Sequence, residues 1–247
     1  MLVDSFVLRN PLERKARKRC VQFDIMDEEK NIFWDVKPVV SYEVFFDSGI
    51  KENDKFHRTY DLVKNLSYNV QYLEFISKTV KCEIHSVIKT ELTKTFVITG
   101  MSIIESILYY ALKSKNLHKT EPYEEITVVN SNEKKVNGVF IKVETRLLRK
   151  LTENREIEMN LDSMLKKTEA NKLFGDDQTV YKQLNHLRKL RNKIHLYLIE
   201  ENLDHDLNNF KTEELNLMKK SLEKVFFSEL FESPNEKRLE LFDFLQQ

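Results

Sequence analysis

The chain has 247 residues, with 40 Lys plus Arg against 40 Asp plus Glu, 32% charged and 41% hydrophobic side chains. This is the balance of a globular chain rather than a disordered one, and a net charge of zero argues against a protein that coats nucleic acid indiscriminately. Only 4 Gly and 4 Pro are present, too few for turn-rich sandwiches, barrels or propellers, so the expectation is a mainly α chain.

Residues 1–55 read as a basic arm with short strands. Arg14, Lys15, Arg17, Lys18 and Arg19 cluster, and Cys20–Ile25 and Val40–Val44 alternate apolar and polar side chains, the pattern of half-buried strands. From Phe56 the period becomes helical: Leu62, Leu66, Val70, Leu73, Ile76, Val80, Ile84 and Val87 advance by three or four. That stripe predicts one long amphipathic helix, or two nearly collinear ones, over 56–92. Thr95–Leu112 follows, apolar on almost every face with Glu105 as its single charge. Its length touches the lower limit for a membrane span, but the acid, Gly100 and several hydroxyls favour a buried central helix, and no membrane is expected.

A β-hairpin insertion is predicted over about 125–143. There Ile126–Val129 is β-branched and Asn137-Gly138 is a strong turn dipeptide before Val139–Val143. Helix is then expected through Leu147, Leu148 and Leu151, and again through Leu161, Met164 and Leu165. After the Gly175-Asp176-Asp177 break a helix is expected from about Gln178 to Glu200, burying Leu184, Leu187, Leu190, Ile194 and Leu198, with an Asp as its N-cap. Thr212 is read as the next N-cap, and Ser233-Pro234-Asn235-Glu236 as a capping box opening a final short helix. Cys20 and Cys82 are too few and too far apart for a disulfide framework or a zinc site, so reduced thiols in a cytoplasm are expected, with no metal and no cofactor. The start Met1-Leu2-Val3-Asp4 has no basic, then apolar, leader pattern.

Phosphate-cradling P-loops, dinucleotide turns, Gly-x-Ser-x-Gly elbows and His-Glu-x-x-His are all missing from the sequence. His57, His85, His118 and His205 sit among polar neighbours and read as surface residues. The informative stretch is Leu187–Leu196. On a helix at roughly 100° per residue, Arg188, Arg191, Asn192 and His195 share one face, while Leu187, Leu190, Ile194 and Leu198 form the neighbouring core stripe. Two guanidiniums, an amide and an imidazole on one strip suit a phosphodiester, since Arg grips phosphate oxygens in a two-pronged geometry and His exchanges protons near neutral pH. Read without function, the same residues are a solvated basic face.

Arg191-Asn192-Lys193-Ile194-His195, late in a Leu-rich helix, resembles the signature of the HEPN superfamily, and Thr95–Leu112 is similar to that family's first core helix. The resemblance covers roughly residues 93–232, and the domain is taken as 93–247 with the hairpin inserted. The family usually leaves four to six residues between its Arg and His. Arg191 leaves three, whereas Arg188 leaves six but is followed by Lys189, so either arginine can be the family's. The resemblance implies a HEPN-like helical bundle forming a homodimer in which two motif helices build one cleft. It implies a metal-independent endoribonuclease with His195 as acid or base. Arg191 and Arg188 would stabilise phosphorane charge, Asn192 would orient phosphate or imidazole, and Lys189 and Lys193 would bind RNA. Glu105 would fix the rotamer of His195 or Arg191, or else be an acid paired for structural reasons. Toxin and phage-defence members are restrained by a regulatory protein partner; other members are non-catalytic RNA- or protein-binding and dimerisation modules.

Overall fold

The computed structural model of the chain describes residues 36–195, 197, 199 and 204–246. The basic cluster Arg14–Arg19 and the first predicted strand, Cys20–Ile25, lie outside the described residues. Among the described residues are eight α-helices: α1 Val39–Gly49, α2 Thr59–Thr79, α3 Ser86–Ser114, α4 Leu161–Ala170, α5 Gln178–Asn192, α6 Asp206–Asn209, α7 Thr212–Phe226 and α8 Asn235–Leu241. A 3-10 turn follows at Asp243–Leu245, and four strands lie between α3 and α4: β1 Thr120–Asn130, β2 Lys134–Val136, β3 Val139–Ile141 and β4 Glu144–Glu156. The chain is mainly α.

The all-round apolar helix is central, as its composition predicts. α3 packs against α2, α4, α5, α6 and α7 and buries Phe96, Val97, Met101, Ile104, Ile107 and Leu108. It is the one described helix long and apolar enough to cross a membrane by length and composition, and 61% of that apolar window is buried inside the protein.

Five expectations are corrected. Val40–Val44 is helix, not strand, because Tyr42, Phe45 and Phe46 are the buried positions, a spacing of three and one that only a helix puts on one face. The stripe over 56–92 is not a single helix. It is broken between Thr79 and Ser86, where His85 caps α3 through Nδ1, which accepts from the Val87 N–H at 3.3 Å. α2 then packs beside α3 instead of continuing it, and Val87 is exposed. The hairpin is larger than 125–143: β1 and β4 pair antiparallel from Thr120↔Glu156 to Asn130↔Glu144. Leu147, Leu148 and Leu151, spaced for a helix, therefore lie on β4, with Leu147 opposite Thr127 and Leu148 opposite Glu125, long-range pairing overriding local spacing. Asn137 and Gly138 make the predicted turn between β2 and β3, both at positive φ (51° and 84°) as a type I′ turn needs. Finally, the caps move by one residue. Lys211, not Thr212, precedes α7, and its N–H donates to Glu214 Oε2 at 3.1 Å, while Pro234, not Ser233, takes the cap position of α8.

The ends of the bundle are tied by one buried carboxylate on α2. Glu74, fully buried, accepts from the Lys37 N–H (2.8 Å) and the Tyr42 hydroxyl (2.7 Å) and is paired with Lys78 at 2.9 Å. Burial, then the Glu74 carboxylate, holds the Tyr42 phenol far above its usual range. Ser77 on the same helix donates to the Phe244 carbonyl at 3.1 Å, fastening the C-terminal turn.

A buried lysine makes stability pH-dependent. Lys219 on α7 is 3% exposed, and desolvation followed by the charge of Lys81 pushes its ammonium down to about 8. An unfolded lysine titrates near 10.4, so the unfolded chain holds this proton more tightly. Stability therefore rises with pH between about 8 and roughly 10.4, by about 1–3 kcal/mol in all. Chemical denaturation of wild type and Lys219→Met across that window should show the slope in the first and its loss in the second.

Candidate phosphate-binding strip at the end of α5

The N-terminal end of α5 is firmly set. Asp177 Oδ1 accepts from the Thr179 N–H at 2.9 Å as N-cap, and the Lys224 ammonium on α7, followed by Thr179, holds its carboxyl down at about 2. Tyr181 accepts from the Phe174 N–H at 3.1 Å. Val180, Tyr181, Leu184, Leu187 and Leu190 are buried, which fixes the rotation of the helix about its axis.

That rotation aims Arg188 and Arg191 at two neighbouring helices. Arg191 Nη2 meets Glu105 Oε2 of α3 at 2.7 Å, with both side chains about one-third exposed. Arg188 Nη2 meets Asp162 Oδ1 of α4 at 2.8 Å, while its Nε is buried with no hydrogen-bond partner. Asp162 is lowered in pKa by Lys166 and then by Arg188. Glu105 thus sits on Arg191, one of the two positions expected for it. Lys189 and Asn192 are exposed on α5.

The helix does not run to Glu200. It ends at Asn192, and Ile194, predicted to be buried one turn after Leu190, is 49% exposed. The core contact that stabilises the helix stops at Leu190, and the helix stops with it. His195 therefore lies beyond the helix, exposed, with its N–H donating to the Asn192 carbonyl at 3.4 Å and its ring 5.9 Å from that of Tyr197. Helical periodicity does not carry the imidazole onto the Arg188–Arg191 face. Leu198 lies outside the described residues. The turn is anchored by Lys193, whose ammonium is 2.6 Å from Asp204. Asp204, 4% exposed in its side chain, also accepts from Asn209 at 2.7 Å.

Asp162, Asp204 and Asn209 were not singled out from sequence. Asp162 stands 26 positions before Arg188 and Asp204 on the far side of a turn, and sequence spacing shows only neighbours within one helix. His118, predicted to be a surface residue, is half-buried, edge-on to Tyr109 at 5.4 Å, with both ring nitrogens buried and without hydrogen-bond partners.

Chemically, the end of α5 offers guanidinium N–H groups beside a carboxylate, an exposed amide, an exposed ammonium and a nearby imidazole. Its bases also face the negative end of the helix dipole, which they stabilise. An anionic ligand here competes with Glu105 and Asp162 for the arginines. No family model, no curated protein and no solved structure matches the chain.

Proposed function

We propose that this protein is a HEPN-like, metal-independent endoribonuclease, working as a homodimer in which two α5 ends share one cleft and of the toxin or phage-defence type that a regulatory protein partner restrains. The observation that supports it is the clustering at the end of α5: an Arg191 guanidinium held in place by Glu105, the exposed Asn192 amide and the exposed His195 imidazole, all within five residues. In this reading a ribose 2′-hydroxyl attacks the adjacent phosphate. His195 of one copy takes the hydroxyl proton, and His195 of the other protonates the departing 5′-oxygen, leaving a 2′,3′-cyclic phosphate and a 5′-hydroxyl. Arg191 and Arg188 balance the added charge on the pentacoordinate phosphorus, and Lys189 and Lys193 bind flanking phosphates.

A second reading, a non-catalytic HEPN-like module that binds RNA or a protein, is favoured by two observations: each arginine already holds a carboxylate, and His195 stands off the helix. RNA incubated with the protein and a chelator separates the two. Cleavage that His195→Ala lowers by roughly 10²–10⁴-fold is the expected result. RNA retention without cleavage, weakened by Arg188→Ala with Arg191→Ala, contradicts the nuclease and supports the module.

A further inference from the structure

Among the described residues, the β1–β4 ribbon has little support along its length. No described helix packs broadly along it, and Tyr123, Ile126, Val129, Val143, Leu147 and Leu148 are 44–62% exposed. A lone two-stranded ribbon is marginal in water, and an open strand edge is a template for another strand. The two edges differ. β1 contains Pro122, which has no N–H, and carries an extra residue, Ile126, between Glu125 and Thr127, both of which blunt an edge, whereas the slip between Glu121 and Tyr123 leaves out four residues of β4, Leu151–Asn154. From Glu144 to Lys150, β4 has no skipped residue and its outer edge is unpaired among the described residues.

That edge is its own complement. Laid antiparallel to itself about Leu147, it sets Glu144 opposite Lys150 twice and Leu147 opposite itself, the opposite-charge and apolar pairs that stabilise neighbouring strands. A polyanion fits less well: Arg149 is held by Glu124, Arg146 by Glu144 at 2.8 Å, and β1 carries Glu121, Glu124 and Glu125 with no base. We infer that the occupant of this edge is a second copy of the chain, joined through β4 into a four-stranded antiparallel sheet with Leu147 on the twofold axis. The inference is independent of the RNA reading and of any pairing through α5.

Two measurements on the full chain test it. Opposed residues in an antiparallel pair have Cα atoms about 4.5–5.5 Å apart, within disulfide reach. In a Cys20→Ser, Cys82→Ser background, Leu147→Cys should therefore form a covalent dimer on mild oxidation. By sedimentation, wild type should dimerise. Glu144→Lys or Lys150→Glu alone should weaken the dimer roughly tenfold, because each pair counts twice, and the two together should restore it. Glu144, Leu147 and Lys150 are exposed, so circular dichroism should be unchanged by their substitution. A monomeric wild type, a missing cross-link, or a dimer indifferent to the reversals overturns the inference.

Discussion

Glu74→Ala should lower the stability of the protein by about 3–5 kcal/mol. The carboxylate is fully buried and is met by the Lys37 N–H and ammonium, the Tyr42 hydroxyl and the Lys78 ammonium. Removing it strands a half-buried N–H and a buried hydroxyl, each costing about 1–3 kcal/mol when unsatisfied, and takes the carboxylate away from the Lys37 and Lys78 ammoniums. Tyr42→Phe takes away one donor but leaves the carboxylate its other partners, so its cost should stay near 1 kcal/mol. Urea denaturation of the two variants measures the difference. Equal losses would show that Glu74 is not the hub tying the start of α1 to α2.

Gly49→Ala should cost about 2–3 kcal/mol, although alanine is the better helix residue by roughly 0.5–1 kcal/mol. The added Cβ would fall on the Leu230 carbonyl oxygen and within 2.6 Å of Phe231 Cδ1. Backbone must move to admit it, and Phe231 is packed on Phe45 with ring centroids 4.7 Å apart. Gly100→Ala in α3 is the informative contrast. There the new Cβ meets the Met218 side chain at 2.9–3.0 Å, a flexible neighbour that can shift, so the gain in helix propensity offsets the crowding and the net change should stay within about 1 kcal/mol. Thermal melts of the pair check it. A stabilised Gly49→Ala would show that α1 is not clamped to the segment before α8.

What could be read in the sequence follows the range of each interaction. The central helix was legible because its apolar run needs burial on every side, and Asn137-Gly138 because the turn requires positive φ at both residues. The break at Cys82–His85 was not, since neither Gly nor Pro marks it and the cap is a histidine. β4 was misread because Leu147, Leu148 and Leu151 fit a helix locally, and only pairing with β1 across the hairpin decides otherwise. At the candidate site, the arginines and their helix were legible from local spacing. The end of α5 was not, because it depends on where the core contact stops after Leu190. Nor were the carboxylates of Asp162 and Asp204, which come from other parts of the chain.

In the proposed reaction the 2′-hydroxyl of RNA is the attacking group and His195 moves its proton. The most direct measurement compares an all-RNA oligonucleotide with one carrying a single 2′-deoxyribose at the mapped cleavage position, in the presence of a chelator, with the 3′ ends of the products weighed by mass spectrometry. The proposed mechanism gives cyclic-phosphate ends from the first, none at that position from the second, and a yield lowered roughly 10²–10⁴-fold with His195→Ala. Cutting at the deoxy position, or cyclic-phosphate ends formed at the wild-type rate without the imidazole, would contradict it.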